Sequence, residues 1–384
     1  MKNKRYLRML NIIALGCVLT LLSGCQSVTE KLSGKAPDEA PLVEVEPIPE
    51  PTPEPTPEEV VEETVEGCYR SELTGEWIPE ELKNQRPIAV MVDNETFALP
   101  HFGVNSADVV YEIMNSTAND RITRLMCIVK DYNSVEQLGS VRSTRPTNFM
   151  LAAEYNAILL HDGGPFYNDE YYAKDYVNNL SGGFARFNNG KSLEFTEYIT
   201  PEEYTNAKGK TFDGLNKRID DAGYSREYNE FYPGEHFTFS TEDYKLSDEN
   251  ETVSAKNVEL PFYHNSSKLT YNESTGTYDY YEYGNAHIDE LTGQITSFKN
   301  VILQGCSFAQ LDENGYLIYN VIGQGDHGYY LTNGEAIPIM WIKDGETAIT
   351  QFTNTATGQP IVLNVGKTYI GIVPDDTWEE VVVN

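Results

Sequence analysis

The sequence predicts an α+β protein: an N-terminal α/β domain built on a mixed sheet, followed by a C-terminal, mostly-β domain. Three observations predict it. Up to about residue 230, short apolar runs rich in β-branched residues alternate with helical stretches. From about His236 onward, alternating runs are separated by turn signals, and no helix is expected after about residue 240. Ahead of both lies an acidic, proline-rich tract whose composition cannot bury a core.

The first residues read as an export signal. Lys2, Lys4, Arg5 and Arg8 precede an apolar run from Met9 to Leu22. That order is the charged and apolar regions of a secretory signal. A bilayer-spanning helix needs roughly 20 apolar residues, so this run is too short for a good span. The signal ends Leu22-Ser23-Gly24-Cys25, small residues before a cysteine, which matches the bacterial lipobox. Residues 1–24 are therefore expected to be removed, and Cys25 to carry the lipid that holds the chain on the outer face of the membrane. The bland alternative is an ordinary signal with a chance cysteine, but no competing small-x-small site follows before the polar tract.

Residues 25–68 form the expected stalk. Eight prolines fall between Pro37 and Pro57, and eleven acidic residues with no basic one between Asp38 and Glu66. Proline stiffens such a chain and like charge extends it, to a reach on the order of 100 Å. The formal charge is −31, or −35 once the four basic residues of the signal are gone. A surface of that sign repels nucleic acid and anionic headgroups, which argues against a nucleic-acid partner. Cys68, Cys127 and Cys306 are left after Cys17 and Cys25, an odd number at spacings that fit neither a disulfide framework nor a zinc pattern. Cys127 and Cys306 lie in apolar runs and read as buried.

The α/β domain is placed at residues 69–232. Ile88-Ala-Val-Met-Val92, Ala107-Asp-Val-Val-Tyr-Glu-Ile113, Arg124-Leu-Met-Cys-Ile-Val129 and Ala157-Ile-Leu-Leu160 suit strands covered on both faces. Residues 146–155 read as a helix, with Thr144 as its cap and Pro146 in the first turn. The Tyr-rich stretch 167–176 reads as a second helix. The mostly-β domain is placed at 233–384. Its turn signals are Ser274-Thr-Gly276, Thr292-Gly293, Asn333-Gly334 and Thr357-Gly358. Such a pattern argues for a sandwich or an open barrel.

Polar residues gather just after the first domain's strands, where α/β sheets bind ligands. Asp93 and Asn94 follow one strand; His161 and Asp162 follow another. Between them Gly139-Ser-Val-Arg-Ser-Thr-Arg-Pro146 runs into a helix start. Arg142 and Arg145 bring bidentate donors to a helix N-terminus, and Ser143 adds a hydroxyl. This set is the candidate anion cleft. Each signal has a structural reading: the arginines pair with acidic neighbours, Asp93 caps a turn, and His161-Asp162 is a sharp bend. His287 with Asp289, and Asp326 with His327, are read as paired polar residues rather than ligands, so no metal site is expected. Tyr167, Tyr171, Tyr172 and Tyr176 form two i, i+4 pairs that suit packing better than sugar stacking. No nucleophile elbow, Walker loop or protease signature is present, and no cofactor is indicated.

These motifs resemble the YerB family, lipoproteins of Gram-positive bacteria that form a domain of unknown function. The residues that carry the resemblance are Arg86-Pro-Ile-Ala-Val-Met-Val-Asp-Asn94, Ala107-Asp-Val-Val-Tyr-Glu112, Ile122-Thr-Arg-Leu125, Gly139-Ser-Val-Arg-Ser-Thr-Arg-Pro146 and His161-Asp-Gly-Gly164, continued by Lys299-Asn-Val301 and Gly366-Lys-Thr-Tyr369. The resemblance implies an N-terminal α/β domain and a C-terminal β domain, and supplies no activity. One departure stands out. The family usually carries Pro-His-Asn-Leu-Tyr in mid-chain, where this chain reads Ser192-Leu-Glu-Phe-Thr-Glu-Tyr198. The order of strands, Asp93 and Ser140-Val-Arg142 is also similar to the LytR–CpsA–Psr wall phosphotransferases, by analogy of order alone.

Two functions are expected from different classes. One is a cell-envelope binding or scaffold protein that recognises a wall component or an exported protein. The other is a phosphate-handling enzyme acting on a lipid-linked wall precursor. The anchor is testable by itself. A Cys25→Ala variant should accumulate uncut or escape into the medium, as read by fractionation and immunoblot. Retention in the membrane at mature size would refute lipidation.

Overall fold

The computed structural model of the protein describes residues 64–325 and 327–384. The signal, Cys25 and the acidic tract through residue 63 lie outside the described residues, as does Asp326.

The apolar runs of the first half form strands β1 (Ile88–Asp93), β2 (Val109–Met114), β3 (Thr123–Val129), β4 (Ile158–His161) and β5 (Asn179–Ser181). Every residue of β1, β2 and β3 is buried. That explains their unbroken apolarity, because a strand covered on both faces has no solvent side to mark with polar residues. Side chains still alternate. Ile88, Val90 and Val92 join one core, Ala89 and Met91 the other.

The second half contributes β6 (Asn257–Glu259), β7 (Lys268–Asn272), β8 (Thr277–Glu282), β9 (Asn300–Cys306), β10 (Gly328–Thr332), β11 (Glu335–Lys343) and β12 (Thr368–Pro374). Strands β6, β7 and β8 belong to a smaller sheet whose Val258, Leu269, Tyr278 and Tyr280 cover one face of the main sheet. The others were expected in a sandwich or open barrel of their own. Instead they extend the sheet of the first half, in the order β11-β10-β9-β12-β2-β3-β1-β4-β5. The reason lies in β9 and β12, buried at all seven positions each. They need cover on two faces and a neighbour on each edge. Strand β12 runs parallel to both its neighbours, with Tyr369 opposite Val301 of β9 and Val110 of β2. The expected boundary at residues 232–233 falls in irregular chain, yet the ladder crosses it. The protein is therefore two successive segments on a shared mixed sheet, richer in strand than the α+β expectation.

Helices are few and short. Helix α1 (Pro146–Ala153) is buried along its whole length against the second core. Its cap differs from expectation: Arg145 is the N-cap residue, and the Asn148 side chain accepts from the Arg145 N–H at 2.9 Å. Residues 167–176 hold only a short turn and α2 (Asp169–Tyr172), not a full helix. Tyr171 stacks on Phe149 of α1 at 5.5 Å, which favours the packing reading of the tyrosines. Helix α3 (Leu215–Asp221), not expected from the sequence, puts Leu215 and Ile219 into the first core. The Asn333-Gly334 signal does form the β10–β11 hairpin, with both residues at positive φ. Cys127 and Cys306 are buried free thiols, as expected, and Cys68 is half-buried.

A buried ion pair also joins the halves. Glu154, the C-cap of α1, meets Lys343 Nζ at 3.0 Å and His236 Nε2 at 2.6 Å, and accepts from the Thr350 N–H at 3.0 Å. Burial opposes its charge, but Lys343 and His236 prevail and hold the carboxyl at about 2.

Limited proteolysis near Tyr232-Pro-Gly234 should therefore leave two fragments that co-elute in gel filtration, since β12 is laddered to a strand of each half. Separate elution in native buffer would show that the shared sheet does not hold them.

Candidate functional site

The cleft is built at the carboxyl end of β1. Asp93, the last residue of that strand, stands directly opposite Arg124 of β3. Asp93 Oδ1 lies 3.0 Å from Arg124 Nη1, and Oδ2 lies 2.7 Å from Arg142 Nε. The latter is an ionic contact rather than a directed hydrogen bond. Residues 140–142 run beside β1: the Asp93 N–H donates to Ser140 O, and the Arg142 N–H to Met91 O, both at 2.9 Å. That backbone pairing places the Arg142 side chain. Its outer Nη2 meets Glu194 Oε2 at 3.2 Å.

Arg145 is held differently. Its Nε donates to Asn115 O at 2.9 Å, its Nη1 to Thr144 O at 2.8 Å, and its guanidinium lies 4.6 Å from the centre of the Tyr316 ring. Among the described residues no carboxylate pairs with it. Burial, with Arg124 and Arg142 nearby, lowers its pKa to about 10, so it stays charged at neutral pH. Burial lowers Arg124 as well, against the pull of Asp93.

These groups line a cleft of about 940 Å³. Its charged lining is Arg124, Arg142, Arg145 and Lys191 against Asp93, Glu95 and Glu194, a net positive spot in a chain of −31. Low-dielectric walls strengthen such a field. One rim is apolar: Phe97 is 72 % exposed, its ring 6.3 Å from Phe195.

Of the residues expected at this site, the structure brings together Asp93, Arg142, Ser143 and Arg145. Asn94 is turned inward, donating to Thr123 Oγ1 at 2.9 Å. His161 and Asp162 are not in the cleft. The His161 ring is buried and parallel to Tyr172 at 6.1 Å, and burial drops its pKa to about 4. Asp162 pairs with Arg186 at 3.2 Å. The start of α1 does not open into the cleft either, because all its residues are buried and Asn148 already serves as the capping acceptor. Arg142 follows its structural reading, pairing with Asp93 and Glu194; Arg145 does not. Arg124 was missed, although a charged residue inside the apolar run 124–129 was a signal. Asp289 accepts from the N–H groups of Asn105, Leu291 and Thr292, and His327 stacks on Trp378.

Behind the cleft lies a buried polar network centred on Glu112 of β2. Its carboxyl accepts from Ser267 Oγ at 2.6 Å, Tyr369 OH at 2.7 Å, Thr123 Oγ1 at 2.8 Å and Tyr280 OH at 3.0 Å. Burial raises its pKa, and these hydroxyls work against the rise.

Residues 73–225 match the domain described as "Protein of unknown function (DUF3048) N-terminal domain", and residues 236–370 match its C-terminal counterpart. The chain belongs to the DUF3048 family. A relative, "Putative lipoprotein YerB" of Bacillus subtilis (strain 168), is 26% identical over 315 residues, covering 80% of this chain and 86% of its own. The crystal structure of the Bacillus subtilis YerB protein superposes with a TM-score of 0.67 at 21% identity, over 82% of this chain and 99% of that one. This likeness establishes the fold of the DUF3048 chain. The stretch 192–198 supplies Ser192, Glu194 and Phe195 to the cleft wall.

Asp93→Asn removes the carboxylate shared by two guanidiniums, one of them, Arg124, buried. It should lower stability by about 3–5 kcal/mol, the cost of breaking a buried pair, read as a urea midpoint shift. An unchanged midpoint would show that Arg124 needs no counter-charge.

Proposed function

We propose that the protein is a lipid-anchored, extracytoplasmic binding protein that holds an anionic, partly apolar envelope ligand in the Arg124–Arg142–Arg145 cleft. The observation that carries this reading is Arg145: a guanidinium at the cleft with no carboxylate partner among the described residues, beside two more guanidiniums that share one buried aspartate. A phosphate or carboxylate supplies the missing acceptor, and Arg145 suits it through a bidentate fork. The exposed Phe97 at the rim, beside Phe195, suits an apolar chain attached to that anion. The lipobox at Cys25 and the lipoprotein name of the YerB relative support anchoring at the outer face of the membrane.

A binding role is preferred to phosphoryl transfer because Asp93, the carboxylate placed where a catalytic base or metal ligand would be needed, is committed. Each of its oxygens faces a guanidinium. Its role is to fix two arginines rather than to act on a substrate.

Calorimetric titration with pyrophosphate and with an undecaprenyl-phosphate analogue tests the reading. Wild type should bind the amphiphile more tightly than pyrophosphate. Arg145→Ala should weaken both at least tenfold, since a charged hydrogen bond contributes roughly 1.5–3 kcal/mol. Arg145→Lys should rescue poorly, offering a point charge and no fork. Failure of wild type to bind either compound, or full binding by Arg145→Ala with its fold intact, would overturn the proposal.

A further inference from the structure

Three metal-ligand side chains, none of them in the cleft lining, meet in the core between the two sheets. His101 comes from the loop after β1, Glu282 ends β8, and His287 lies a few residues beyond it. His101 Nδ1 is 2.8 Å from His287 Nε2, and Glu282 Oε1 is 3.7 Å from the same nitrogen. One ligand atom from each lies within 4.8 Å of the others. All three residues are at most 2% exposed. We propose that His101, Glu282 and His287 bind one divalent transition-metal ion, zinc by preference, as a structural centre between the two halves of the chain.

Glu282 supplies the first argument. Both its carboxyl oxygens are buried without a hydrogen-bond partner. Asn94 and Asn265 stand close enough to ease the cost of charge there, yet neither makes a directed hydrogen bond to it. A buried polar group without a partner is costly and calls for an explanation. A cation between Glu282 and the two imidazoles provides one.

The outer partners of the histidines supply the second. His101 Nε2 lies 2.5 Å from the backbone oxygen of Asp93. A carbonyl only accepts, so that nitrogen carries the proton and Nδ1 keeps a lone pair facing His287. His287 Nδ1 lies 2.8 Å from Thr296 Oγ1, a hydroxyl able to accept a hydrogen bond from that nitrogen. Each imidazole thus has an outer acceptor of the kind that orients metal-bound histidines.

Spacing and chemistry agree. Donors at 2.0–2.2 Å around a tetrahedral zinc lie about 3.3–3.6 Å apart. The Glu282–His287 separation is already near that range, and the two histidines need open by only about half an ångström once no proton lies between them. Between the two facing nitrogens of the metal-free pair lies one proton, on His287 Nε2. On binding, His287 changes tautomer: Nε2 gives up that proton to ligate, and Nδ1 carries the ring proton and donates a hydrogen bond to Thr296 Oγ1. Ligation requires neutral imidazoles and an ionised Glu282 carboxylate, so acid opposes binding. Two imidazoles and a carboxylate suit zinc better than magnesium or calcium, which prefer oxygen alone. A water molecule would complete the tetrahedron at the fourth position.

The test uses the full-length chain in detergent, stripped with EDTA and titrated with Zn²⁺ and with Co²⁺ alone. The expected result is one equivalent bound, a visible absorption spectrum of tetrahedral cobalt, and a raised thermal midpoint, because an ion that binds only the folded state stabilises it. Glu282→Gln keeps the shape of the neutral acid and should fold, with affinity at least tenfold weaker; His287→Ala should lose the cobalt spectrum. Wild type that takes up no ion, or uptake unchanged in both variants, as acidic surface groups alone would give, overturns the proposal.

Discussion

The buried carboxyl of Glu112 is the interaction on which the rest of the molecule depends. It sits on β2, beside β12, and accepts hydrogen bonds from one hydroxyl of the first half and three of the second. A carboxyl at that depth is tolerable only when its lone pairs are taken. Its partners Ser267, Tyr280 and Tyr369 come from three places in the later sequence, so satisfying it fixes the smaller sheet over the main one and holds β12 in register against β2. The ladder and the polar cluster specify the same arrangement.

The cleft follows from that arrangement. Strands β1 and β3 present Asp93 and Arg124 as a cross-strand pair, and the chain at residues 140–142 docks beside β1 to bring Arg142 to the other carboxylate oxygen. Two positive groups are thereby fixed at the expense of one negative group. Arg145, anchored by backbone carbonyls rather than by an acid, adds charge without compensation. In a strongly acidic chain this is how a local site of opposite sign is made: few cations, each immobilised by an acid or by backbone carbonyls.

Much of this was legible in the sequence. The runs at Ile88, Val109, Arg124 and Ile158 were readable as strands because burial on both faces leaves an unmistakable apolar run. Asn333-Gly334 was readable because few other pairs make that turn. The arginines stood out against the acidic background. What escaped was whatever depends on contacts distant in sequence. Nothing local in residues 300–306 or 368–374 says that β9 and β12 complete the sheet of the first half. His101 and Glu282 are 181 positions apart and unremarkable in their own surroundings. His161 and Asp162 follow a strand as candidate residues should, but β5 and Arg186 occupy the space they face.

The place of β12 in the chain bears on how the protein is made. Its two neighbours, β2 and β9, are complete long before it emerges from the ribosome. Until then both have an exposed edge of unpaired N–H and C=O groups, the kind of surface that recruits stray strands. A nascent chain of this topology is thus a prolonged client for whatever covers unpaired strand edges. The same delay keeps the chain slack and threadable until its closing strand is available.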